Sequence, residues 1–209
     1  MNKQVRAGKY QYSDDVHSSH HKILDLVGEG KKVMDVGCSR GYLAAKFKEK
    51  GCFVLGIESD PQSALIAKEF CDELVTGDVE QLDKLKYPEN YFDVIVFADV
   101  LEHLKHPENV LINLKKYLKK DGRIIASLPN IARIDIRMKL LLGKFDYEEG
   151  GILDKTHLRF FTLKNAKKLF INCGLNIESI AFTASASRFK IFPELLAFQF
   201  VIVSKIKEK

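Results

Sequence analysis

Residues Lys31 to Gly41, KKVMDVGCSRG, constrain the chain more than any other stretch. Two lysines lead into an apolar run that ends in Asp35, Val36 and Gly37. A turn of small residues follows, and from Tyr42 to Lys50 Leu43, Ala44 and Phe47 recur on one helical face. This order predicts a buried strand, a close-approach loop and a helix N-terminus. Such a loop presents backbone N–H groups and the positive end of a helix dipole to a ligand.

The elements after it keep a steady rhythm. Cys52 to Ile57 is almost wholly apolar, as expected of a parallel strand covered on both faces. Pro61 opens a helix running to about Phe70, and Glu73 to Thr76 is a short strand. Residues 79–90 are expected as a loop, Phe92 to Phe97 as strand four and Pro107 as the start of a helix. Asp121-Gly122 is expected to stop that helix, with strand five from Arg123 to Leu128. Strands alternating with helices imply right-handed βαβ units on a parallel sheet. The segment 131–161 breaks the rhythm: Ile134, Met138, Leu141, Leu142 and Phe145 fall at helical spacing among Arg133, Arg137, Lys139 and Lys144. Leu163 to Cys173 is a helix between Thr162 and Gly174, and Asn176 to Ala181 and Phe198 to Ser204 are strands six and seven. The loop from Ser185 to Pro193 is too short for a crossover helix, so these two strands should be antiparallel.

At 209 residues, one domain is the economical expectation. The net charge of +5 is a mild excess, read as solvated helix faces rather than a nucleic-acid groove. None of the four cysteines has metal-ligand spacing, so buried free thiols in a reducing, cytoplasmic setting are expected. The first residues have no signal-peptide core, and no apolar run reaches the length of a membrane span.

Four acids fall at four successive strand ends: Asp35, Glu58, Asp78 and Asp99. The carboxyl ends of adjacent parallel strands form the ligand crevice of such sheets. The loop fails the dinucleotide pattern, because the second and third glycine positions counted from Gly37 hold Ser39 and Tyr42. Asp35 would also disfavour a pyrophosphate. The acids suit a ligand with a nucleoside and a positive centre.

From Val33 to Asn130 these motifs resemble the class I S-adenosylmethionine-dependent methyltransferases, in the ubiquinone-biosynthesis O-methyltransferase-like branch of the methyltransferase domain family. VMDVGCSRG is similar to their first motif, GIESDP to the ribose-binding acid turn, GDVE to the adenine turn, and FDVIVFADVLEHL and IIASLPN to the fourth and fifth strands. Ser39 stands where the family usually has glycine. The resemblance implies an α/β fold, Rossmann-like and doubly wound, with a seven-stranded sheet of order 3-2-1-4-5-7-6 and strand seven antiparallel. It implies one methyltransferase domain over 1–209, with 1–30 as an N-terminal helical lid and 131–161 as a substrate-covering insertion. Tyr10 and Tyr12 either fold over a ligand or pack on the surface.

The implied cofactor is S-adenosylmethionine. Asp35, Gly37, Cys38 and Gly41 would surround its methionine part, and Glu58 its ribose. Ser59, Asp78 and Val79 would meet the adenine, and Ala98 and Asp99 the sulfonium end. His157 is the candidate general base, and His103 is the second candidate catalytic residue. Asp99, Glu102, His103 and His157 are similar in placement to the divalent-metal ligands of small-RNA 2′-O-methyltransferases. Against that stands a pocket shaped by Glu102 and His103 without metal. His17, His20, His21 and His106 are expected on the surface. The implied reaction is methyl transfer to an oxygen or nitrogen of a small-molecule, saccharide or lipid-linked acceptor. The alternatives are a metal-dependent RNA 2′-O-methyltransferase and a non-catalytic S-adenosylmethionine-binding protein, and a nicotinamide-dependent enzyme stands further off. The segment Ile134 to Phe145 either covers the acceptor pocket, contacts a membrane peripherally or packs on the sheet edge. No residue speaks to oligomeric state.

Overall fold

The computed structural model describes residues 15–82, 84–183 and 192–207. The strands are β1 Lys32–Val36, β2 Phe53–Glu58, β3 Glu73–Thr76, β4 Phe92–Ala98, β5 Leu118–Pro129, β6 Leu175–Phe182 and β7 Gln199–Ile206. They form a seven-stranded sheet of order β3-β2-β1-β4-β5-β7-β6. The first five strands pair in parallel, and β7 runs antiparallel to both β5 and β6. Order and direction are those expected from the sequence. Tyr10 and Tyr12, and with them most of the expected lid, lie outside the described residues.

The helices are α1 Ser19–Val27, α2 Tyr42–Glu49, α3 Pro61–Ala67, α4 Pro107–Leu114, α5 Ile134–Leu141, α6 Leu163–Asn172 and the single turn α7 Pro193–Leu196. Local chemistry starts several of them. Side chains of Ser18, Asp60 and Thr162 accept from the backbone N–H groups of His21, Ser63 and Asn165, which satisfies donors no helix can satisfy itself. Gly41 caps α2 in the left-handed region, where only glycine is unstrained.

The strict alternation of strand side chains divides the core into two layers. Met34, Leu55, Ile57, Ile95 and Phe97 pack with α4 and α6 residues such as Leu111 and Phe170 on one face. Val33, Val54, Val94 and Val96 pack with Ile23, Val27 and Phe47 from α1 and α2 on the other. Two residues on that second face do not fit an apolar layer. Asp35 shares the side of Val33, and Gly56 leaves space where the Cys38 and Cys71 sulfurs sit, 2.8 and 2.7 Å from where a Cβ would be.

Two expectations are corrected. Strand β5 starts at Leu118, not Arg123. Leu118 pairs with Phe92 and Arg123 with Val94, so residues 119–122 bulge within the strand. The Lys119 ammonium lies 2.6 Å from Asp93, which anchors that bulge. Gly122 fits where a Cβ would approach Leu118 and the Asp93 carbonyl within 3 Å. Helix α5 also ends earlier, at Leu141, and its apolar spacing does not mark a buried face. Ile134, Met138, Leu141, Leu142 and Phe145 are all exposed, and Ile136 is the residue it buries, against Ile152 and Leu153. Among the described residues no helix is long and apolar enough to cross a membrane, and the four cysteines are free and buried.

Candidate functional site

A cavity of about 900 Å³ opens across the carboxyl ends of β1, β2, β3 and β4. Of the residues read from the sequence as cofactor contacts, Gly37, Glu58, Ser59, Asp78, Val79, Ala98 and Asp99 line it. Asp35, Cys38 and Gly41 do not; they are buried behind the wall, Cys38 beside Cys71 and Gly41 against Ala67 and Phe70. Gly37 is needed for two reasons. Its φ is +67°, and a Cβ would stand 2.6 Å from Cγ2 of Val100.

Glu58 ties two loops together. Its carboxylate accepts from the Ser39 and Asp60 backbone N–H groups, each at 2.8 Å. Ser39 takes up a left-handed backbone, φ +50°, to make that contact. Just after β3, Asp78 accepts from Glu80 N–H at 2.9 Å and from the Gln81 amide at 3.0 Å. Glu80 in turn accepts from the N–H groups of Lys105 and His106, linking this turn to the start of α4.

Asp35 is the electrostatic anomaly of this region. It is 1% exposed, and Oδ2 has no hydrogen-bond partner among the described residues. Burial first, and the Glu58 carboxylate second, push its pKa up to about 7. Cys38 is held well above the usual thiol range by its hydrogen bond with Cys71 and by burial, so it is an inert thiol.

At the β4 end, Asp99 also has a left-handed backbone, φ +57°. Its N–H donates to Ser127 Oγ at 2.9 Å, and its Oδ1 accepts from Ser127 Oγ at 2.7 Å and Gln199 Nε2 at 2.6 Å. The left-handed turn means that Asp99 and Glu102 do not share one helix, since residues 101–103 form a separate 3₁₀ turn. The candidate metal quartet therefore divides. Glu102, His103 and His157 bring ligand atoms within 4.8 Å of one another, without Asp99.

This triplet has the chemistry of a base or an ion site. Glu102 is 1% exposed, and neither carboxylate oxygen has a hydrogen-bond partner among the described residues. Burial, then Asp99, hold its pKa well above the usual carboxylate range. His157 Nδ1 lies 3.0 Å from the Ile152 carbonyl, so Nδ1 carries the proton and Nε2 keeps a lone pair. Burial lowers the His157 pKa, against the pull of that carbonyl. His103 Nδ1 faces the Thr156 carbonyl at 3.1 Å, and the two rings stand edge to face with centroids 4.8 Å apart. One carboxylate and two imidazoles with lone pairs directed by backbone carbonyls fit a divalent transition ion. The segment that supplies His157 is strapped to this turn, because Leu158 and Arg159 N–H groups both donate to the Glu102 carbonyl at 2.9 Å. Thr156, Leu158 and His103 line the cavity, while Glu102 and His157 stand behind them.

Several lining residues were not read from the sequence. His20, expected on the surface, is half-buried on α1 beside Tyr42, with ring centroids 5.1 Å apart, and lines the cavity. Burial lowers its pKa, against the nearby Asp99. Ser39, Arg40, Ser63, Lys105 and Leu158 also line it. Periodicity carries no signal for His20, since its place depends on how α1 docks over the sheet.

The strand order, the glycine loop and the crevice define the Rossmann-like fold of S-adenosylmethionine-dependent methyltransferases. A family model described as a methyltransferase domain matches residues 8–180, and the chain belongs to that family. A ubiquinone biosynthesis O-methyltransferase from Schizosaccharomyces pombe, mitochondrial by name, is 30% identical over 104 residues, 47% of this chain and 38% of its own. A ubiquinone biosynthesis O-methyltransferase from Coxiella burnetii is 25% identical over 176 residues, 71% of this chain and 75% of its own. The chain spans about half the length, or less, of the first such relatives. Among solved structures, the 1,6-didemethyltoxoflavin-N1-methyltransferase of Burkholderia thailandensis, determined with S-adenosylhomocysteine, shares the fold. It has a TM-score of 0.64 and 17% identity, covering 92% of this chain and 80% of that one.

Proposed function

We propose that this chain transfers the methyl group of S-adenosylmethionine to an oxygen of a small-molecule acceptor. The observation that carries the reading is the joining of two halves in one place. The acid-lined crevice of Glu58, Asp78 and Asp99 runs into the Glu102, His103 and His157 cluster at its β4 end. Methyl transfer is an in-line displacement on a positive sulfur. It requires alignment of donor and acceptor and removal of the acceptor proton. In this reading Glu58 takes the ribose hydroxyls, Asp78 the adenine amino group, and Nε2 of His103, which lines the cavity with His157 behind it, the acceptor proton. The names of the relatives, O-methyltransferases of ubiquinone biosynthesis, favour oxygen over nitrogen.

A second form of the reaction is favoured by the unpartnered Glu102 carboxylate. Glu102, His103 and His157 would then hold a divalent ion, which would lower the pKa of the acceptor hydroxyl. The exposed apolar residues of α5, with Arg133, Arg137 and Lys139 around them, support a lipid-linked acceptor or peripheral contact with an anionic membrane. A cytoplasmic setting is part of the proposal and rests on the free thiols.

The test is release of S-adenosylhomocysteine with phenolic, saccharide and lipid-linked acceptors, with and without a chelator and added Mn²⁺. Acceptor-dependent release is expected. Full activity after chelation would retire the ion and leave the histidine base. No release with any acceptor, alongside intact cofactor binding, would favour a non-catalytic binding protein.

A further inference from the structure

Asp99 is placed by residues from two other strands, Ser127 on β5 and Gln199 on β7. Gln199 is 100 positions away in sequence, and its own backbone is fixed by Thr183, whose N–H and side chain meet its carbonyl and N–H. A carboxylate only accepts hydrogen bonds, so the Gln199 amide must present its NH₂ group. Both donors fall on Oδ1, and Asp99 N–H is tied to Ser127 as well. Three hydrogen bonds therefore hold a residue with a left-handed backbone, φ +57°, a conformation few residues other than glycine, asparagine and aspartate adopt. Both side-chain donors use Oδ1 of a residue that lines the cavity.

We propose that Gln199 is a positioning residue that aims the Asp99 carboxylate at the cationic centre of the methyl donor, so that the site distinguishes the charged donor from its neutral product. This rests on the methyltransferase reading above and deepens it. Before transfer the sulfur carries a positive charge. After transfer the S–CH₃ bond is broken, its electron pair stays on sulfur, and the thioether of S-adenosylhomocysteine is neutral. A fixed carboxylate attracts the first and gains nothing from the second. The preference favours loading of the donor and release of the product. A carboxylate free to swing would lose it, and this makes a glutamine on a distant strand a determinant of ligand choice.

The test is calorimetric titration of the whole chain with three ligands: S-adenosylmethionine, sinefungin, whose amine is a cation near the sulfonium position, and S-adenosylhomocysteine. Gln199→Met keeps the length and removes the donor. It is expected to weaken the two cations roughly five- to tenfold and the neutral product under about twofold. Asp99→Asn should give the same pattern, and adding Gln199→Met to it should change nothing further, because the glutamine acts through the aspartate. Equal weakening of all three ligands, or no weakening by Gln199→Met, would overturn the inference. Unchanged affinity for the product reports that the variant is folded. A wild-type chain that binds none of the three would refute the methyltransferase reading itself, which is a separate result.

Discussion

The backbone N–H of Ser39 donates to Oε2 of Glu58 at 2.8 Å, joining the loop after β1 to the end of β2. The contact fixes the cavity wall, and it requires a left-handed backbone at a serine. Glycine at this position would keep the N–H and lose the steric penalty. Ser39→Gly is expected to stabilise the protein by about 0.5–1 kcal/mol, with cofactor affinity unchanged. Chemical denaturation and calorimetric titration check the two parts.

The opposite change at Gly37 should be costly. A methyl group would meet Val100 at 2.6 Å on a residue whose φ is +67°. Gly37→Ala is expected to cost about 2–3 kcal/mol and to reduce cofactor binding strongly. Adding Val100→Ala should recover the steric share of the stability and not the backbone share. Full recovery by Val100→Ala would show that φ does not matter here.

Asp35 gives the ligand-free protein a pH-dependent stability. Its folded pKa, about 7, is raised above the unfolded value of roughly 3.9. The folded state therefore binds the proton more tightly than the unfolded one. The contribution is fully present below about pH 4 and is lost as pH rises through about 7. Asp35→Asn is expected to flatten this loss and, at pH 8, to gain on the order of 3 kcal/mol over the wild type. Urea melts between pH 5 and 8 measure the slope. An unchanged slope would show that Asp35 is ionised without cost.

Among the described residues no hydrogen bond to the Glu102 carboxyl group stabilises the fold. Glu102→Gln is expected to melt close to the wild type and to lower methyl transfer at least ~100-fold, as loss of a positioned acid–base or ligand group does. His157→Ala should lower it similarly while leaving S-adenosylmethionine affinity intact, since His157 stands behind the cavity wall. Undiminished turnover in His157→Ala would remove the histidine from the mechanism.

Much of this was legible from residue order. The run Lys32–Val36, the strand-end acid Glu58 and the cap Thr162 stand where spacing places them, because each is set by its neighbours in the chain. The rest depends on contacts between distant segments. Asp121-Gly122 reads as a helix stop, yet the bulge anchored by Lys119 and Asp93 keeps it in β5. The spacing of Ile134, Met138 and Leu141 predicts an apolar helix face without saying what it meets, and no described element covers it. Asp99 reads as a partner of Glu102 from its position three residues earlier. Its left-handed backbone and its bonds to Ser127 and Gln199 draw it toward β5 and β7 instead. His20 was missed for the same reason, since only the docking of α1 brings it to the crevice.

The central claim is that the crevice accepts a cationic nucleoside ligand and not a dinucleotide. Calorimetric titration of the purified chain with S-adenosylmethionine, and separately with NADH, tests it most directly. Saturable binding of S-adenosylmethionine that is lost in Glu58→Ala, with no heat from NADH, is the predicted result. Binding of NADH, or failure to bind S-adenosylmethionine by a folded wild-type chain, would contradict it.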